Sequence, residues 1–70
     1  MKRRDLIRRI AQEAMRQGVE WKVHREGANH TIYLLGGTRI PIPRHTEIGE
    51  RLALAIFVEA EGELGRRWWS

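Results

Sequence analysis

From Lys2 to Gln17 the apolar residues Leu6, Ile7, Ile10, Ala11, Ala14 and Met15 recur at steps of three and four. That period places them on one stripe of an α-helix, with Arg3, Arg4, Arg8, Arg9, Gln12, Glu13 and Arg16 on the other faces. Gly18 ends the helix, because a glycine just past the last turn adopts the left-handed conformation without steric cost. The period then changes to two. Val19, Trp21 and Val23 alternate with Glu20, Lys22 and His24, the pattern of a strand with one buried face. Arg25-Glu26-Gly27-Ala28-Asn29 interrupts the alternation and predicts a hairpin loop. A second strand, His30 to Leu35, is rich in branched and aromatic residues. Gly36-Gly37 predicts a two-residue turn into a third strand, Thr38 to Ile42. Pro41 has no amide hydrogen to give to a ladder, so this strand belongs at the edge of the sheet, and Pro43 ends it.

A second helix is expected from Thr46, a good N-cap, with Glu47 beside it to complement the helix dipole. Ile48, Leu52, Ala55, Ile56 and Glu59 fall on one stripe, widened by Leu54, Phe57 and Val58. The helix ends near Gly62, leaving a tail from about Glu63 that closes with Trp68-Trp69-Ser70. The order helix, three antiparallel strands, helix predicts an α+β fold, a two-layer sandwich with both helices on one face of the meander. Seventy residues make one domain, 1–70, and leave no room for a second core.

A domain this small buries a modest fraction of its surface, so its stability is expected to be low or helped by a partner. There is no cysteine, which excludes a disulfide scaffold and a thiolate zinc site and suits a reducing cytoplasm. Three histidines without a local metal-ligand spacing point to no metal. No apolar run approaches the roughly 18 residues of a membrane span. Charges recur through the first helix, against a signal peptide. Thirteen Lys and Arg against nine Asp and Glu give a net charge of +4 and a pI near 10.7. The excess is nearly all arginine, whose planar fork suits phosphate, so nucleic acid or an acidic protein is the expected partner.

The candidate chemistry lies between Gly27 and His45. His30 sits at the mouth of a strand just after a glycine-containing turn, where packing gives histidine little purpose. Imidazole moves protons near neutral pH, and beside many arginines that points to chemistry on RNA. Lys22, Arg25, Arg39 and Arg44 surround it and would neutralise phosphate, with Asn29 holding substrate or buttressing the loop. His24 either faces His30 across the hairpin as an acid–base partner or is a solvated strand position, and the second is preferred. His45 either meets phosphate at the start of the second helix or only orients the chain leaving Pro43. Arg3, Arg4, Arg8 and Arg9 extend the basic surface. Trp21 is expected in the core, and Tyr33 is a packing residue or a base-stacking one. Trp68 and Trp69 either fold back or bury in a partner.

Three stretches together resemble the HicA-type toxins, the messenger-RNA-cleaving partners of bacterial HicAB toxin–antitoxin pairs. The opening Met1-Lys2-Arg3-Arg4-Asp5-Leu6-Ile7 is similar to the basic start of that family's first helix. Gly27-Ala28-Asn29-His30-Thr31-Ile32-Tyr33 is similar to its glycine–histidine motif, although many members carry the histidine one place earlier, at Asn29 here. Ile40-Pro41-Ile42-Pro43-Arg44-His45-Thr46-Glu47-Ile48 is similar to its Val-Pro-x-Pro-Arg-His-x-Glu-Ile stretch. The resemblance implies a fold like a double-stranded-RNA-binding domain and a metal-independent ribonuclease with His30 as its catalytic acid–base. It also implies a HicB-like antitoxin as protein partner. Two other readings use the same residues: a non-catalytic double-stranded-RNA-binding module, and an interaction protein that pairs through Trp68-Trp69.

Overall fold

The computed structural model describes every residue from Met1 to Ser70. Helix α1 (Arg3–Gln17) stops where expected, at Gly18 with φ 72°. The Val19 amide donates back to the Ala14 carbonyl at 2.8 Å, closing the last turn. Strands β1 (Trp21–Glu26), β2 (His30–Leu35) and β3 (Thr38–Pro43) form an antiparallel meander in the order β1-β2-β3. Pro41 is thus on an edge strand, as its missing amide hydrogen requires. Gly36 takes φ +57° in the β2–β3 turn, where a Cβ would also collide with the Glu63 carboxylate. The positive φ is what requires glycine, since the Glu63 carboxylate sits at the end of a flexible side chain that can move aside.

The core is one cluster between the helices and one face of the sheet. Leu6 and Ile10 from α1, Leu35, Ile40 and Ile42 from the sheet, and Ile48 and Ile56 are its largest fully buried side chains. Each contributes about 1.5–3 kcal/mol by leaving water. Along β2, Thr31 and Leu35 are buried toward the helices, so His30, Ile32 and Leu34 face the other way. That second face has no helix over it. No helix is long and apolar enough to cross a membrane.

Four expectations about the elements change. β1 begins at Trp21 and continues through Arg25 and Glu26, so the loop shrinks to Gly27–Asn29. The reason is a register shift between Val23 and Arg25, where His24 is the extra residue of a β-bulge. Helix α2 (Glu50–Glu59) starts with Gly49 as its N-cap, not Thr46. Residues 46–48 are held against the chain's start, with Glu47 in a β-bridge to Lys2. The Arg3 amide donates to the Thr46 carbonyl, and the Ile48 amide to the Met1 carbonyl, each at 2.8 Å. The buried stripe of α2 is Ala53, Ile56, Phe57 and Ala60, leaving Leu52, Leu54 and Val58 about half exposed. Met15 is 84% exposed, because the narrow sheet covers only the Leu6–Ile10–Ala14 row of α1.

The end of the chain belongs to the fold. A further turn, α3 (Glu61–Leu64), buries Leu64, and Gly65 then reverses the chain. Trp68 packs edge-on against Phe57 and donates its indole N–H to the Phe57 carbonyl at 2.8 Å. Trp69 stacks on Phe57 and meets Trp68 edge-on, and Arg9 holds its carbonyl. Of the two fates open to these tryptophans, folding back is the one realised. The radius of gyration, 11.1 Å, is that of a compact chain of this length.

Ile10→Ala is expected to cost about 2–5 kcal/mol of unfolding free energy in chemical denaturation. Met15→Ala should stay within about 0.5 kcal/mol of the parent. Similar losses from the two would mean that α1 is rotated from the orientation described.

Candidate functional site

The uncovered sheet face is built in rungs. Lys22 pairs with Leu34, and Leu34 with Arg39. Next, Arg25 pairs with Ile32, and Ile32 with Pro41. His30, opposite Pro43, closes the end nearest the β1–β2 loop. The β-bulge decides what this face carries. Before it, Trp21 and Val23 lie on the helix side, across from Leu35 and Tyr33. Uninterrupted alternation would send Arg25 to that side as well and turn Glu26 outward. The extra residue resets the phase. His24 and Arg25 both emerge on the open face, and Glu26 turns back beneath it, opposite Thr31.

Two adjoining recesses result, of roughly 320 and 330 Å³. One is lined by His24, Arg25, Ile32, Arg39 and Pro41. The other brings His30 and Asn29 together with Gly27 and Ala28. Arg25, Ile32 and Pro41 line both, so the two share a wall and floor. The floor is apolar and the rim basic. No carboxylate lines either recess. Such a surface, cations around an apolar floor, suits an anionic ligand with some apolar surface.

Glu26 organises the hairpin from behind. Its carboxylate accepts from the Thr31 hydroxyl at 2.9 Å and from Arg44 at 2.7 Å. Arg3 donates to the same Thr31 oxygen at 3.0 Å and to the Pro43 carbonyl at 2.8 Å. Arg44 also donates to the Gly27 carbonyl, at 2.7 Å. The β1–β2 loop and the exit from β3 are thereby tied together next to His30. The Thr31 hydrogen bond, with further help from Arg44 and Arg3, holds the Glu26 carboxyl below the ordinary carboxylate range.

Of the residues singled out in the sequence, His30, Asn29, Arg25, Arg39 and Lys22 share the open face or its rim. Arg44 does not. It stands behind the sheet in a third recess with Lys2, Arg3, Arg4 and Thr46, and its guanidinium is engaged by Glu26 and Gly27. His45 is exposed in the connection to α2, four residues before the Gly49 cap, and so is away from that helix's first turn. Tyr33 is turned from the open face and stacks on Trp21, with ring centroids 4.4 Å apart and planes within 4°. Trp21 is correspondingly half-buried at the margin of the core rather than inside it.

His24 does not face His30 directly across the ladder, since Arg25 and Glu26 take the paired positions nearer the loop. The sequence reading missed Glu26 and the place of Lys2 in the rear recess. One signal for Glu26 was present. The polar run His24-Arg25-Glu26, breaking a regular alternation without a Pro or Gly, marks a bulge as readily as a loop. The chain matches no protein-family model, no curated protein and no solved structure.

The lowered Glu26 carboxyl has a signed consequence. The stability it contributes is present above the unfolded glutamate value, roughly 4.3, and is lost as pH falls through the lower folded value. Thermal melting of the parent and of Glu26→Gln should therefore differ near pH 6 and converge in acid. A gap that stays constant down to pH 2 would remove the carboxylate as its source.

Proposed function

We propose that this chain is a HicA-like toxin, a ribonuclease that cleaves messenger RNA by histidine acid–base catalysis without a metal, and that a HicB-like antitoxin restrains it. The observation that carries the reading is the position of His30. It stands at the mouth of β2, exposed, on the one sheet face that the helices leave bare, with Arg25 and Asn29 in the same recess. The sequence resemblance supports the same residue, and the α-β-β-β-α order matches the fold that the resemblance implies.

In this reading the RNA backbone lies along the open face. Arg25, Arg39 and Lys22 neutralise phosphates, and Ile32 and Pro41 offer the sugars and bases an apolar floor. The His30 imidazole exchanges protons with the reacting ribose and phosphate oxygens. Asn29, next to it in the recess, holds the nucleotide through its amide. Arg44 acts at one remove by holding the Gly27 carbonyl, which keeps the His30 end of the hairpin in place. His45 contributes from the exposed approach, as a phosphate contact outside the recess. The antitoxin covers this face, and by binding only the folded form it stabilises a domain with a small core.

Induced expression in a bacterium of the parent and of His30→Ala tests this directly. The parent should arrest growth and degrade messenger RNA, while His30→Ala should accumulate folded and leave both intact. Intact RNA in both strains, with soluble protein in each, would favour a binding module of the same fold. In binding assays on single-stranded RNA, Arg25→Ala and Arg39→Ala should each flatten the dependence of log affinity on log salt by about 0.7. Arg44→Ala should instead lower the melting temperature and leave that slope nearly unchanged.

A further inference from the structure

The β-bulge places a second histidine on the face that carries His30. His24 is the inserted residue, and it emerges beside Arg25 in the recess that shares Arg25, Ile32 and Pro41 with the His30 recess. In a strand without the insertion, His24 and Arg25 would point to opposite faces. His24 is exposed, and its side chain makes no hydrogen bond or ion pair within the protein. A bulge interrupts the ladder and re-aims a side chain, and such features concentrate next to active sites. Strand spacing puts the two histidine Cα atoms roughly 9–10 Å apart, two to three residues along the sheet and one strand across. Two imidazoles extended over the Ile32–Pro41 floor from that separation leave room between them for one phosphodiester, with Arg25 alongside.

We infer that His24 and His30 form a two-histidine centre that divides the base and acid roles of RNA cleavage. This rests on the ribonuclease reading above and supplies what a single histidine lacks, a second group to complete the proton transfer within one step. The neutral imidazole takes the proton of the ribose 2′-hydroxyl, and the 2′-oxygen forms a bond to phosphorus. The bond from phosphorus to the 5′-oxygen breaks, and the other ring, as imidazolium, gives its proton to that oxygen. The products are a 2′,3′-cyclic phosphate and a 5′-hydroxyl end. Proton exchange with water restores both rings, and no oxidant or reductant is needed. The charged groups nearest the pair are Arg25 from β1 and Arg39 from β3, with Lys22, ion-paired to Glu20, further along the face. No carboxylate lines either recess.

The test is cleavage of a mixed-sequence single-stranded oligoribonucleotide by the purified full chain, followed as kcat/KM against pH. Parent, His24→Gln and His30→Gln are compared after circular dichroism shows that all three are folded. The parent should give a bell, and each variant should lose one limb and fall by about 10²–10⁴-fold. A substrate with sulfur in place of the bridging 5′-oxygen leaves without protonation and should rescue only the variant that lacks the acid. If His30→Gln is inactive while His24→Gln keeps both limbs and cleaves within a few-fold of the parent, the pair is overturned and the single-histidine ribonuclease stands. A His24→Gln profile with both limbs and a raised KM alone would make His24 a phosphate contact and equally overturn the pair. No cleavage by the folded parent would overturn the ribonuclease reading and the pair with it.

Discussion

One inserted residue in β1 governs how this small domain divides its side chains between core and surface. A strand alternates strictly, so the only way to move a charged residue from one face to the other without changing its neighbours is to shift the phase. The bulge at His24 does this between Val23 and Arg25. On the helix side it delivers Glu26 to Thr31, with Arg44 and Arg3 closing the network. On the open side it delivers two consecutive cationic or titratable groups, His24 and Arg25. Without the shift, Arg25 would face the helix side, and the carboxylate that ties the hairpin to β3 would lie on the open face. The same local event thus orders the hairpin that carries His30 and furnishes the surface in front of it.

The second constraint is the number of layers. Two helices and a short third turn can cover only one face of a three-stranded sheet, and nearly all of the fully buried volume lies there. The other face must tolerate water, and it does so with Lys22, Arg25, Arg39 and His30 around Ile32, Leu34 and Pro41. A bare, basic sheet face offers cations and apolar surface side by side, the features on which the proposed function rests. The termini reinforce the covered side. The chain's start pairs with residues 46–48, and the final tryptophans seal Phe57. Charge assists both: the Met1 ammonium pairs with Glu47, and the Arg9 guanidinium holds the Trp69 carbonyl.

Periodicity made the element order legible. Steps of three and four marked α1, alternation marked the first strand, and Gly18, Gly36 and Pro41 marked an end, a turn and an edge through backbone chemistry that neighbours do not alter. His30 and its basic surroundings were legible too, because a histidine at a strand mouth has few packing uses and the arginine excess is visible by counting. What the chain order cannot express is which side of an element meets something else. Leu52, Leu54 and Val58 look as apolar as Ile56 and Phe57, and only the position of the sheet decided that the latter pair is buried. Thr46 has every local property of an N-cap, yet hydrogen bonding of residues 46–48 to residues 1–3 across more than forty positions keeps it out of the helix. Arg44, expected around His30, stands behind the sheet, tied to Glu26 and Gly27. The bulge is of the same kind: its cause is the partner strand's register, a property of two segments together. Local backbone preference, carried by each residue alone, was therefore determined by the sequence. Facing, register and partnership, which exist only between segments, were decided by the tertiary structure.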